Sequence, residues 1–210
     1  MIRTTLSRRS FAALALAALA LAALSAPAWA SEDDLAAKGY AVGDMALGDP
    51  NAPVTVIEYA SLTCPHCATF HNDTWPTIRQ NYVDTGKVRF IFRDVYFDQY
   101  GLWASMIARC GGEGPFFGYL TQLFGKQKEW ARSDDIVGEL QRIGRLGGLP
   151  AERMQACLTD EALLNRLVAD YQANATADNV RSTPTFIING ETATGAMSAA
   201  AFSALIDKHL

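Results

Sequence analysis

The tetrapeptide Cys64-Pro65-His66-Cys67 follows a β-rich, almost continuously apolar run, Val54-Thr55-Val56-Ile57-Glu58-Tyr59, and precedes a stretch with helical character. That order constrains the chain more than any other feature, because it puts two thiols where a buried strand hands over to a helix N-terminus. Ser61-Leu62-Thr63 makes the connection, with Thr63 a candidate N-cap and Pro65 tolerated in a helical first turn. Backbone N–H groups and the dipole at that end of a helix stabilise an anion, so Cys64 is expected as a thiolate well below its ordinary pKa. His66, protonated or donating a hydrogen bond, is expected to add to this. Stabilising the thiolate stabilises the reduced state, which makes a Cys64–Cys67 disulfide easily reduced and therefore oxidising.

The rest of the chain is organised around that junction. A helix from about Pro65 is expected to reach Thr74, kink or restart at Trp75-Pro76, and end before Gly86. Lys87 to Arg93 alternates at period two and reads as a second strand, so residues 54–93 form a β-α-β unit with a parallel pair. Between about Gln99 and Asp178 no strand is evident, and apolar residues recur at helical spacing near 100–110, 115–124, 134–146, 151–158 and 160–177. This predicts an all-helical block of about 80 residues at 98–178. Thr185-Phe186-Ile187-Ile188 returns to strand, Asn189-Gly190 predicts a type I′ turn, and Glu191 to Thr194 answers it. An amphipathic helix is expected from Ser198 to His209. Residues 31–52, polar and ending in Gly48-Asp49-Pro50-Asn51-Ala52-Pro53, read as an arm and a turn.

Pro184, in Ser182-Thr183-Pro184-Thr185, has two readings. It is a residue that starts a strand without a ladder hydrogen bond, or a cis bond facing the two thiols. In the second case it exposes the Thr183 backbone as an edge for an extended peptide.

Arg3, Arg8 and Arg9 followed by the apolar run Phe11 to Leu24 and by Ala28-Trp29-Ala30 predict a signal peptide cleaved after about Ala30. Ser7-Arg8-Arg9-Ser10-Phe11 looks like the twin-arginine export consensus, and an ordinary secretory signal remains equally open. Loss of residues 1–30 removes three arginines and no acid, leaving 15 basic against 22 acidic residues and a net charge of −7. That charge disfavours nucleic acid as a partner, and no polybasic stretch points to anionic lipid. Export implies oxidising surroundings, in which disulfides persist. With 210 residues, half hydrophobic and 19% charged, the composition suits one globular domain and excludes a disordered chain or a multi-pass membrane protein.

Taken together, Glu58-Tyr59-Ala60-Ser61-Leu62-Thr63-Cys64-Pro65-His66-Cys67, a helical insert and then Thr183-Pro184-Thr185-Phe186 resemble the DsbA family of thioredoxin-fold thiol–disulfide oxidoreductases. The resemblance covers nearly all of residues 50–210. It implies an α/β, thioredoxin-like fold carrying the helical insertion as one domain over 53–210. It also implies Cys64 as nucleophile, Cys67 as its partner, Glu58 as a buried acid assisting proton transfer, and Pro184 as a cis-proline. Thr183 would then sit where redox poise is tuned, a position compatible with oxidases and with isomerases. Glu58 as a plain acid at a strand end is the alternative reading. A carboxyl on an otherwise apolar strand needs a reason, since burial raises its pKa.

The other candidates follow. Cys110 and Cys157 lack CxxC spacing and are expected to pair as a structural staple in an oxidising compartment, with two free buried thiols as the alternative. Some DsbA-like proteins carry a second disulfide in this insert. Cys64, Cys67 and His71 have the spacing C-x2-C-x3-H, but no second ligand knuckle is present, so no metal is expected and His71 is placed at the surface or in a groove. Phe70, Trp75 and Trp103 are candidates for an apolar client groove or for core. The expected function is a periplasmic oxidase that transfers the Cys64–Cys67 disulfide to free thiols of unfolded or folding exported proteins. By resemblance, a DsbB-like membrane protein reoxidises it, and no dissociable cofactor is needed. Residues 31–52 are too short for the extra dimerisation domain of DsbC-type isomerases, which favours a monomer. An isomerase or reductase of the same fold, and a non-catalytic periplasmic module that binds metal or client, are the competing functions.

Overall fold

The computed structural model describes residues 31–210. The segment read as a signal peptide, with its twin-arginine-like residues, lies outside the described residues. Five strands, β1 (Met45–Leu47), β2 (Val54–Ala60), β3 (Val88–Asp94), β4 (Thr185–Ile188) and β5 (Glu191–Thr194), form one mixed sheet in the order β1-β3-β2-β4-β5. Strand β2 is central, parallel to β3 with Val56 opposite Phe90, and antiparallel to β4 with Glu58 opposite Phe186. Its residues Val54, Val56, Glu58, Tyr59 and Ala60 are all fully buried, as a strand covered on both faces requires. The β4–β5 turn has positive φ at Asn189 (45°) and Gly190 (92°), the pair a type I′ turn demands. The Asn189 side chain also accepts a hydrogen bond from the Thr55 N–H at 2.8 Å, which ties the hairpin to the start of β2.

The arm differs from its sequence reading. Residues 31–52 contain a helix, α1 (Glu32–Ala37), capped by Ser31 and Asp34 in a reciprocal capping box, and then β1, which pairs antiparallel with β3. Arg109 fixes this segment from the helical insert. Its guanidinium donates to Ala41 O (3.2 Å) and Asp94 Oδ2 (2.8 Å) in a buried setting, and to the partly buried Gly43 O (3.1 Å). Three residues of strand are too few for an alternating pattern to be read from sequence.

After Cys64 the chain is helical to Val83, but not uniformly so. It runs as α2 (Pro65–Thr69), a π-helical turn (Phe70–Thr74), α3 (Trp75–Ile78) and a second π turn (Arg79–Val83). Pro76 has no N–H to give, so a strict α-helix cannot pass through it, and the wider turn before it absorbs the misfit. The face carrying Cys67, Phe70, His71, Trp75 and Ile78 is buried.

The insertion comprises α4 (Gln99–Cys110), α5 (Phe116–Gly125), α6 (Gln127–Trp130), α7 (Ile136–Leu146), α8 (Ala151–Leu158) and α9 (Glu161–Ala177). Side chains of Asp98, Asp135 and Asp160 accept backbone N–H bonds at the starts of α4, α7 and α9. Helix α4 is the hub, packed against α5, α7 and α8. A disulfide joins its last residue, Cys110, to Cys157 of α8, with the Cα atoms 6.0 Å apart. Helix α10 (Ala199–Asp207) closes the chain under a Ser198 cap. It sets the buried Phe202 ring 5.1 Å from Phe70 and 4.7 Å from Phe186.

Candidate active site

Topology brings the two halves of the site together. Strand β2 ends at Ala60, and the chain needs only Ser61 to Thr63 before α2 begins. Because β4 is antiparallel to β2, with Tyr59 opposite Thr185, the residues just before β4 arrive at that same end of the sheet. Thr183-Pro184, a cis peptide bond, therefore faces Cys64 across a sequence gap of 119 residues.

Cys64 itself is the N-cap of α2, with extended geometry (φ −80°, ψ 120°) and no side-chain cap. Thr63 does not cap the helix as its sequence suggests. Its hydroxyl donates to Asp98 Oδ2 at 2.7 Å, while Asp98 Oδ1 accepts from the Gly101 N–H at 2.8 Å. One carboxylate thus caps α4 and holds the loop leading into the cysteines. Gln127, on the short helix α6, does the same from the opposite side. Its buried Nε2 donates to Leu62 O (2.7 Å) and Cys64 O (3.0 Å). The sequence flags neither Asp98 nor Gln127, because each acts over a long sequence separation.

The two sulfurs are free thiols in unequal surroundings. Cys64 is brought down to about 5 by the Cys67 S–H, which donates to its sulfur, against the opposing effect of burial. The Thr183 hydroxyl and the backbone N–H groups of Cys67 and His66 add to the lowering. With Cys64 as a thiol, that hydroxyl oxygen is buried and has no hydrogen-bond partner. When Cys64 is protonated, its S–H donates to Thr183 O at 3.6 Å. His66 thus helps through its backbone, and its side chain, exposed to solvent, is not among the groups that hold the thiolate. Cys67 is fully buried. Burial pushes its thiol far above the ordinary range, and the neighbouring Cys64 and the charge of Glu58 push it further.

Glu58 lies on β2 with no exposure to solvent, near enough for its charge to act on the Cys67 thiol. Its Oε2 is 2.8 Å from Nε2 of His71, and its Oε1 has no hydrogen-bond partner. The expectation of a surface or groove position for His71 is therefore wrong. Its ring is 3% exposed and stacks on Phe124 with centroids 4.1 Å apart. The π turn carries it inward, a displacement that straight helical spacing does not reveal. Of the two readings for Phe70 and Trp75, groove or core, the structure shows core, at 0% and 6% exposure. Trp103 is half-buried against Tyr100. The exposed aromatics near the cysteines are Phe97 and Tyr100, which flank Asp98.

Comparison with known proteins agrees with this geometry. Residues 40–208 match the family model described as thioredoxin. A Rickettsia felis protein provisionally named a protein-disulfide oxidoreductase is 35% identical over 168 residues, which is 80% of this chain and 60% of that protein. Disulfide bond formation protein D of Bacillus subtilis is 30% identical over 70% of this chain and 68% of its own length. The crystal structure of Wolbachia pipientis alpha-DsbA1 superposes with a TM-score of 0.74 at 32% identity, covering 79% of this chain and 90% of that one. The chain belongs to the thioredoxin family, within its DsbA-like thiol–disulfide oxidoreductases. It spans 60% of the length of the Rickettsia protein.

Proposed function

We propose that the protein is an exported dithiol oxidase that passes its Cys64–Cys67 disulfide to client proteins. A client thiolate attacks the Cys64 sulfur, the Cys64–Cys67 bond breaks, and the electron pair leaves on Cys67. A second client thiol then attacks the client sulfur of the mixed disulfide and expels Cys64 as a thiolate. The client gains a disulfide, and the protein is left with two reduced cysteines. The observation that carries this reading is the inequality of the two thiols, with Cys64 at about 5 and Cys67 far above the ordinary range. A stabilised Cys64 thiolate is a good leaving group and favours the reduced protein, which is what an oxidant needs.

The remaining roles follow from placement. Thr183 and the cis Pro184 present backbone beside Cys64, where an extended client can pair with it. Glu58, whose charge acts on Cys67, handles its proton. The clients are unfolded or folding exported proteins with free thiols. A DsbB-like, quinone-linked membrane protein is the proposed reoxidant, and Phe97 and Tyr100 offer it or a client apolar contact beside the site. The protein acts as a monomer in this reading. No dissociable cofactor takes part. The features of residues 1–30 support export to the periplasm.

The test is stoichiometric oxidation of a dithiol peptide by the oxidised protein. Cys64→Ser should abolish it. Full activity in that variant would refute the reading, and rapid reshuffling of wrongly paired disulfides without net oxidation would favour the isomerase.

A further inference from the structure

Cys67 poses a physical problem that Cys64 does not. It is fully buried, yet it must gain a proton each time the disulfide opens and lose one each time the disulfide re-forms. Glu58 lies within reach of its charge, but Glu58 is itself 0% exposed and has no direct outlet to water. A carboxylate so placed ordinarily has every oxygen paired, because an uncompensated buried charge is costly. Here Oε2 meets His71 Nε2 at 2.8 Å, and Oε1 is left without a partner.

His71 supplies the missing connection. Its ring is held flat on Phe124, and it also lines a cavity of about 260 Å³ bounded by Asn72, Trp75, Arg79, Gln80 and Thr121. Arg79 and Asp84, at the cavity wall, are 3.5 Å apart and neutralise each other. No group among the described residues hydrogen-bonds Nδ1 of His71. The cavity is roomy enough for water and offers it polar partners in Asn72, Gln80 and Thr121 beside its apolar wall. Neither Cys64 nor Thr183 lines it.

We propose that Glu58 and His71 form a proton relay joining Cys67 to solvent through this cavity, on a route separate from the client face. When the Cys64–Cys67 bond breaks and the electron pair settles on Cys67, one proton passes from Glu58 to the sulfur. One passes from His71 Nε2 to Glu58, and one from cavity water to Nδ1. The net change is one proton taken from solvent and one thiol formed. Reoxidation runs the same transfers backwards and restores the original His71 tautomer. His71 touches no reacting sulfur; it positions and reloads Glu58. The relay rests on the oxidoreductase reading above.

The reaction of the reduced protein with oxidised glutathione separates the two halves of the site. In the first step Cys64, already a thiolate, attacks and forms a mixed disulfide. In the second, Cys67 gives up its proton and releases glutathione. His71→Phe, which keeps the ring volume and removes both nitrogens, should slow the second step by roughly 100-fold, the low end of what positioned proton transfer supplies. The first step should keep its rate, and this serves as the internal check on folding. Equal slowing of both steps, or of neither, would overturn the relay. His71→Ala provides the second arm. Imidazole added to the cavity should speed the second step, and pyrrole, similar in size but not a base, should not; equal rescue by pyrrole would reduce His71 to a packing role. Failure of the wild-type protein to oxidise a dithiol peptide would instead sink the functional reading, whatever the His71 variants do.

Discussion

The molecule holds two cysteine pairs that differ in almost everything except composition. Cys64 and Cys67 sit three residues apart at a helix N-terminus, among N–H and O–H donors, and one of them is brought down to about 5. Cys110 and Cys157 are 47 residues apart, buried at 1% and 0% exposure, and joined between the end of α4 and the last turn of α8. Their sulfurs lie against backbone carbonyls, Arg153 O and Met106 O, which do not stabilise a thiolate. The comparison teaches that a disulfide's role is set by what surrounds its sulfurs in the reduced state. Donors aimed at one sulfur make reduction easy, whereas a long closed loop with no thiolate stabilisation makes the bond a tether.

The largest effect that would test this contrast comes from the tether. Replacing Cys110 and Cys157 together by Ala should lower stability by about 4 kcal/mol, the chain-entropy value for a loop of this length, as read by denaturant unfolding. The Cys64 titration should be unmoved. A shift in that titration would mean that the two pairs are coupled and the comparison is too clean.

The second test uses pH. The folded pKa of Cys64 is depressed below its unfolded value of about 8.5, so its stabilising contribution to the reduced protein is full above that value and lost as pH falls through about 5. The oxidised protein has no such titration. The advantage in melting temperature of reduced over oxidised protein should therefore shrink steadily from pH 8.5 down to pH 5. A constant difference across that range would contradict the assignment.

Smaller effects sharpen which groups shape the redox pair. Gln127→Ala leaves the buried Leu62 O without its side-chain donor, while Cys64 O keeps the Ala68 N–H at 3.1 Å, at a cost of about 1–3 kcal/mol measurable by denaturation. Thr183→Val removes one donor to the thiolate and should raise the Cys64 titration, followed by alkylation rate against pH, by about one unit.

These residues also mark the limit of what the sequence discloses. The β2–Cys64–α2 junction, the Asn189-Gly190 turn and the helical insert are legible because each is written in neighbouring residues as an apolar run, a turn dipeptide or a helical period. The cis bond at Pro184 gains its meaning from the resemblance and from the antiparallel register of β4 on β2. His71 is different. Its partner lies 13 residues away on another element, and a π turn, which no simple periodicity predicts, rotates it inward. Gln127 sits on a four-residue helix too short to leave a pattern, and its carbonyl partners are 63 and 65 residues away. Local signals place the cysteines, and tertiary packing supplies the groups that hold them.

The central claim is that donors around Cys64 make the Cys64–Cys67 disulfide oxidising, and equilibration with glutathione at pH 7 tests it most directly. A thiolate at about 5, against about 7 in a thioredoxin, favours the reduced state by roughly 50-fold at neutral pH, or about 50 mV. The account predicts a midpoint near −220 mV or more oxidising, taking about −270 mV for thioredoxin as the reference. A midpoint at or below about −270 mV would contradict it.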